Sequence, residues 1–375
     1  MHDEAPGYAR PVQSGDLSVE AERQISAACP GAVVAEWPAG KSVHPIWGPC
    51  EQVLTGAASD PETRFEGSSG GALSALLVHA LERGDVDRVL HTGADPERPS
   101  RNLVFISRTS AEIVARAGSR YTASSPMAAI REALDEGGRF AFVGKPCDVS
   151  ALRRLARTDP RIGQCVPLAL SFFCGGIPSH AGVDRILEAF GVKANDLVQF
   201  RYRGRGWPGM CEARTPSGAA QMTYADSWGR FLSKEVQFRC KICPDAVGGV
   251  ADIACADAWY GDEAGYPSFD EQEGRSLIIS RSAVGRKLVE SAVAAGQIEV
   301  SPLDIGEIDK MQPSQAKRKR LVLARTTALA LLGQPSPRFA GLKVLKAASR
   351  AAPAEAVRNL LGTIRRTLKG TRSRL

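Results

Sequence analysis

Apolar residues fall in short blocks whose spacing switches between the period of a helix and that of a strand. Residues 72–82 form a strongly apolar helical block, opened by the small-residue loop Gly67-Ser68-Ser69-Gly70-Gly71 and stopped at Arg83-Gly84. A cation in the last turn with glycine beyond it is how helices end. The pattern then predicts strands over 86–92 and 103–107, helices over 110–117 and 126–134, and a short buried strand within 138–144. That strand runs into Lys145-Pro146-Cys147. A helix over 148–156 follows, then an apolar strand over 166–173 ending in Cys174-Gly175-Gly176, then a helix over 180–190 closed by Gly191. From residue 198 the character changes. Residues 198–203 alternate as a strand, and 211–214 and 221–224 pair as a hairpin. A strand over 276–280, a helix over 283–295 and a strand over 298–302 complete the pattern. This alternation predicts an α/β fold, a mixed sheet flanked by helices, with a helical basic C-terminal tail.

The chain has 375 residues, enough to bury a large core. The pattern divides it into a weakly patterned N-terminal segment (1–45), an N-terminal part of the body (46–137), a C-terminal part (138–310) and the tail (311–375). No apolar run approaches the ~18–20 residues that span a bilayer. The first residues, Met1 to Pro6, lack an apolar signal region, so the expected location is cytoplasmic. The formal charge of +7 conceals an asymmetry. Residues 313–375 carry 15 Lys/Arg and one acid, a net of +14, which leaves the other 312 residues at −7. The body therefore needs no polyanion, and no specific nucleic acid is expected. The tail suits a solvated helix or an anionic membrane surface, at the inner face of the membrane; 321–332 is apolar, flanked by cations and too short to span.

The nine cysteines (29, 50, 147, 165, 174, 211, 240, 243 and 255) are odd in number and scattered, unlike a disulfide framework. Cys240-x-x-Cys243 suits zinc, an iron–sulfur cluster or a dithiol redox pair, and two thiolates leave a four-ligand site half complete. Cys147 and Cys174 are the best placed additions. Each follows an apolar strand in a Gly/Pro loop, where backbone can approach a bulky group closely. The other five read as small core residues. The Gly67–Gly71 loop at a helix N-terminus suits phosphate, although it is neither a Walker sequence nor a GxGxxG fingerprint. The five histidines (2, 44, 79, 91 and 180) show no metal spacing.

Taken in order, these pieces form one set: Arg64-x-x-Gly67-Ser68-Ser69-Gly70-Gly71; Gly144-Lys145-Pro146-Cys147; Phe173-Cys174-Gly175-Gly176-Ile177-Pro178-Ser179; Arg203 with Gly206-Trp207; Cys240-x-x-Cys243-x-Asp245; and Ala251-Asp252-Ile253 with Asp257-x-Trp259. Over roughly 45–305 the set resembles the coenzyme F420 hydrogenase/dehydrogenase beta subunit family, to which hydroxymethyl chlorophyll a reductase is related. The resemblance implies a flavoprotein carrying FAD and a [4Fe-4S] cluster, relaying electrons between a one-electron donor and a hydride-exchanging small molecule. It implies Cys147, Cys174, Cys240 and Cys243 as cluster ligands. It places Ser68, Ser69, Gly70, Gly71, Lys145, Arg203, Trp207, Asp252, Asp257 and Trp259 around the flavin or cluster, with Asp245 and Asp252 equally suited to caps or turns. Partners would be ferredoxin or another redox subunit, a small-molecule substrate and a second copy of the chain. Two departures stand out. Only Cys29-Pro30-Gly31 remains of a ferredoxin-like segment, and Lys145 stands where the family often has a small residue. The alternative is a non-catalytic binding or assembly protein, linked to polysaccharide biosynthesis and held at the membrane by its tail.

Overall fold

The computed structural model describes residues 2–4, 7–39, 43–261 and 268–369; the ends of the predicted N-terminal segment and tail lie partly outside them. An eight-stranded sheet forms the centre. Its strands, in a chain-order numbering that includes the smaller sheet, are β1 (Gln52–Ala58), β2 (Arg88–Ala94), β3 (Asn102–Ser107), β4 (Phe140–Val143), β5 (Leu168–Phe172), β9 (Ile253–Asp257), β10 (Ser276–Ser280) and β11 (Ile298–Pro302). The smaller sheet holds β6 (Gln199–Arg201), β7 (Met210–Thr215) and β8 (Gly218–Thr223). The spatial order of the large sheet is β11-β1-β10-β9-β5-β4-β2-β3. Strands β9, β5, β4 and β2 are mutually parallel, with Ile253 opposite Leu170 and Leu170 opposite Val143. Antiparallel strands close both sides.

Both faces are covered, which is why the central strands read as unbroken apolar runs. In β4, Phe140 and Phe142 enter one core while Ala141 and Val143 enter the other. In β10, Leu277 and Ile279 oppose Ile278 in the same way. The principal helices are α1 (Val19–Ala28), α2 (Ala72–Glu82), α3 (Pro146–Leu155), α4 (His180–Phe190), α5 (Ala283–Ala294), α6 (Pro313–Leu331) and α7 (Pro353–Leu368). Apolar residues of α2 and α5 fill one face of the sheet; those of α3 and α6 fill the other. A third core joins α4 to the small sheet through Val183, Ile186, Phe200, Tyr202 and Cys211.

The 46–137 and 138–310 parts contribute strands to one sheet. Two sequence expectations change. The weakly patterned N-terminus is built into the core: Val34, Ala35 and Trp37 are buried, the Ala35 N–H donates to Ser150 Oγ (2.8 Å), and Trp37 Nε1 donates to Asp245 Oδ2 (3.1 Å). The tail does not stand apart either. Gln315, Ala316, Lys319, Leu321, Val322, Ala328 and Leu329 of α6 are buried, so the apolar side of 321–332 faces the protein core rather than a bilayer. Among the described residues no helix is long and apolar enough to cross a membrane.

Candidate functional site

The parallel strands β4, β5 and β9 lie side by side and deliver three of the candidate loops to one edge of the sheet. That edge, beyond the strand C-termini, is where α/β sheets place ligands. From β4 the chain enters Lys145, Pro146 and Cys147; from β5, Phe173 and Cys174; from β9, Asp257 and Trp259. Cys147 sits in the first turn of α3 rather than in a loop, because Pro146 takes the opening helical position.

The Cys174 loop is clamped against the Cys240–Cys243 segment. Cys174 N–H donates to Ala246 O (2.9 Å) and Gln237 N–H to Ile177 O (3.0 Å). Gly176 takes φ +106° beneath Cys240; a side chain there would put its Cβ 3.2 Å from that of Cys240. The Gly176 N–H points at Cys174 Sγ (3.4 Å), and the Ile177 backbone hydrogen-bonds Cys240. The four thiols face one another electrostatically. Burial, reinforced by Asp148, pushes Cys147 well above the ordinary thiol range; burial with Cys240 nearby pushes Cys174 up to about 12, and burial also raises Cys240. Cys174 and Cys243 each oppose ionisation of Cys147, and Cys240 and Cys243 that of Cys174. Among the described residues no three His, Cys, Asp or Glu side chains converge on a point fit for a single metal ion. Four half-buried thiols that oppose one another's ionisation instead suit a polynuclear cluster, which compensates that repulsion and accepts N–H donors at sulfur. Cys29, by contrast, is exposed at the end of α1.

Ser68, Ser69 and Gly71 border a cleft of ≈ 960 Å³ that also meets Lys145, Cys174, Gly175, Gly176, Asp257 and Trp259. Gly71 caps α2 at φ +68° without a side-chain hydrogen bond, leaving the first-turn N–H groups available. Gly70 (φ +77°) passes so close to Gly274 that a Cβ would lie 2.7 Å from its carbonyl oxygen. Lys145 Nζ is fixed by Asp148 (2.6 Å) and Ser124 Oγ (2.7 Å). Burial pulls its pKa down, but Asp148 and Cys147 outweigh this and hold it above the usual lysine value.

Behind the cleft wall, Asp257 gathers three side chains. The Arg203 guanidinium donates to both its oxygens, while Ser69 Oγ (2.8 Å) and Trp207 Nε1 (2.9 Å) donate to Oδ1. Arg203 also donates to the Ser68 carbonyl and lies over the rings of Tyr224 and Trp259. Trp207 stacks on Trp259 with centroids 4.7 Å apart. Arg203 and Trp207 therefore hold the loop and the aromatic wall from behind. Asp252 lies at the opposite end of β9, accepting from Arg153 Nη2, Ala169 N–H and Ser282 Oγ; it is a strand clamp remote from the cleft. Asp245 is a turn former, accepting from Trp37 Nε1 and the Val247 and Gly249 amides. Sequence reasoning missed Tyr121, Tyr224 and Trp228, which line the cleft, and Arg318 of α6, which binds the Cys174 and Gly175 carbonyls. Lone aromatics in weakly patterned segments gave no signal.

Residues 53–131 match the N-terminal region of the family described as coenzyme F420 hydrogenase/dehydrogenase, beta subunit, and residues 137–305 match the C-terminal region of the same family. Coenzyme F420 hydrogenase subunit beta of Methanococcus voltae is 25% identical over 315 residues, covering 78% of this chain and 99% of the relative. F420-dependent formate dehydrogenase 1 subunit beta of Methanococcus maripaludis is 25% identical over 263 residues, 67% of this chain and 65% of that one. A chain of the F420-reducing [NiFe] hydrogenase complex from Methanosarcina barkeri superposes with TM-score 0.60 at 21% identity, covering 79% of this chain and 98% of that chain. At that identity the likeness concerns the fold.

Proposed function

The chain belongs to the coenzyme F420 hydrogenase/dehydrogenase beta-subunit family and is an oxidoreductase subunit; from that premise we propose that it binds FAD and a [4Fe-4S] cluster and exchanges electrons between a redox partner and a small hydride-exchanging molecule. The observation that carries this reading is the shared cleft, bordered both by the Ser68–Gly71 loop and by the Cys174 loop with Lys145. Its volume, ≈ 960 Å³, lies at the upper end of the ≈ 300–1,000 Å³ usual for cofactor sites.

The N–H groups at the start of α2 would hold the flavin's phosphate side. Trp259, backed by Trp207, offers an aromatic wall. Lys145, ion-paired to Asp148 and bonded to Ser124, would present its ammonium N–H as a fixed hydrogen-bond donor in the cleft lining, suited to an acceptor atom of the ring. Cys147, Cys174, Cys240 and Cys243 would hold the cluster. When bound, the flavin exchanges a hydride and the cluster exchanges single electrons, so together they couple two-electron to one-electron chemistry. Hydride transfer needs no side-chain acid, which agrees with a cleft built of anchors rather than a catalytic dyad. The partner is proposed as a redox subunit or ferredoxin, since the M. barkeri likeness is to a chain of a hydrogenase complex.

Anaerobic purification, a visible spectrum, and iron, sulfide and flavin analysis test this directly. The expected protein is coloured, with both cofactors, and Cys240→Ser loses the iron. A colourless zinc protein, or full iron retention in Cys240→Ser, overturns the assignment.

A further inference from the structure

Helix α6 lies beyond the residues matched to the family, yet three of its cations reach the cysteine loops. Arg318 Nη1 donates to Cys174 O (2.9 Å) and Nη2 to Gly175 O (2.6 Å), with Gln315 Nε2 sharing the Cys174 carbonyl (2.9 Å). Lys319 Nζ, buried over the Trp37 ring at 4.0 Å, donates to the carbonyl of Pro244, directly after Cys243 (2.5 Å). Arg325 Nη1 donates to Lys241 O (2.6 Å), inside the Cys240–Cys243 loop. One helix thus ties together the two loops that carry three of the four thiols.

The acceptors are peptide carbonyls. A carbonyl orients a guanidinium without cancelling its charge, whereas a carboxylate would do both. Among the described residues Arg318 forms no ion pair, while Lys317 beside it is paired with Glu355 and Arg320 with Asp309. Lys319 has Asp245 as its carboxylate neighbour. Arg318 therefore brings an uncompensated positive charge onto the Cys174 loop, one bond network away from its thiol.

We propose that α6 is an integral part of the thiolate site and that Arg318 is a positioning residue. It holds the Cys174 loop against the Cys240–Cys243 loop and, as a fixed cation, raises the reduction potential of the cluster bound there. The inference rests on the flavin and iron–sulfur reading above. One-electron reduction adds a negative charge to the cluster with no proton, so a cation fixed beside the ligands favours the reduced state. Charge, hydrogen bonding and solvent exposure around the sulfurs are the terms a protein uses to set such potentials.

The test is a redox titration of the anaerobically purified full chain, following the reduced cluster by electron paramagnetic resonance. Wild type, Arg318→Gln, Arg318→Lys, Lys319→Met and the exposed control Arg365→Gln are compared, after iron analysis of each. At the poise that leaves half the wild-type cluster reduced, Arg318→Gln should show a reduced-to-oxidised ratio about tenfold lower, the scale of one partly screened charge. Arg318→Lys should recover most of that shift, and Arg365→Gln should match wild type. If Arg318→Gln fails to keep its iron, Arg318→Met, neutral and of similar reach, reads the same quantity, and iron kept by Arg318→Lys alone supports the holding role. Lys319→Met, whose cation faces Asp245, should shift the midpoint less than the Arg318 variants. Iron-loaded Arg318→Gln or Arg318→Met with an unchanged midpoint overturns the proposal. A matching shift in Arg365→Gln also overturns it, because net charge alone would then account for the effect. Iron-free wild type instead refutes the cofactor reading itself, a separate result visible before any titration.

Discussion

Removing the Asp257 carboxylate should unseat the wall of the cleft. Its partner Arg203 has a fully covered side chain, while Asp257 keeps 22% of its own exposed. In Asp257→Ala the guanidinium retains the Ser68 carbonyl but loses its counter-charge, and its Nε already lacks a hydrogen-bond partner. Ser69 Oγ and Trp207 Nε1 lose their acceptor as well. Breaking one side of a buried pair costs about 3–5 kcal/mol. The partial exposure of Asp257 lets water serve the two neutral donors, so they add little to this. At about 2 °C per kcal/mol for a chain of this size, the melting midpoint should fall by about 6–10 °C. The assay is thermal or urea unfolding of wild type, Asp257→Ala, Arg203→Met and the double variant. Because the double variant removes both charges, it should be more stable than the sum of the single losses by at least about 1.5 kcal/mol. A drop below about 2 °C in Asp257→Ala, or strict additivity in the cycle, would refute the view that these two charges depend on one another.

Three further outcomes follow from the geometry. His91 is buried against Ser107 and held neutral, its pKa lowered to about 4 mainly by burial, with Arg116 adding to the effect. The unfolded chain takes its proton first, so stability should fall as pH drops from about 6.5 towards 4, by on the order of 3 kcal/mol; His91→Asn should flatten this slope in urea titrations, and parallel curves would count against it. Gly70→Ala places a Cβ against the Gly274 carbonyl at a positive φ, which should cost about 1–3 kcal/mol and lower the flavin bound per folded chain, read by absorbance. Asp252→Asn should cost about 1–3 kcal/mol in urea while leaving flavin content unchanged; lost flavin would return Asp252 to the cofactor site.

Much of the framework was legible because buried parallel strands announce themselves as apolar runs. The strand ends at Val143 and Phe172 were within reach for that reason, and with them the placement of Cys147 and Cys174 at one edge. Strand β1 was not, since Gln52-Val53-Leu54-Thr55-Gly56-Ala57-Ala58 has little bulk. Gly56 is there because β11 passes so close that a Cβ would overlap the Glu299 carbonyl, and a glycine inside a strand is the trace such an approach leaves. Asp252 and Asp257 looked alike in sequence, five residues apart, and a strand of that length carries them to opposite ends. The tail misled for a different reason. A run of lysine and arginine reads as solvated, and a cation that binds peptide carbonyls leaves no complementary acid to find. Gln315 and Lys319, both buried, could be located only from the folded chain.

Strand β1 lies between β10 and β11, so a segment emerging early from the ribosome has both its neighbours among the late ones. Until Ser280 has been synthesised β1 has an open edge on each side, and until Pro302 one edge stays open; exposed edges invite pairing with other chains. A product truncated between the two family-matched regions would be an incomplete sheet rather than a smaller working domain. The same order applies to the thiols, because Cys147 and Cys174 appear well before Cys240 and Cys243, and Arg318 follows all four. Completion of the proposed ligand set is thus tied to completion of the chain, so a cluster would be loaded after synthesis.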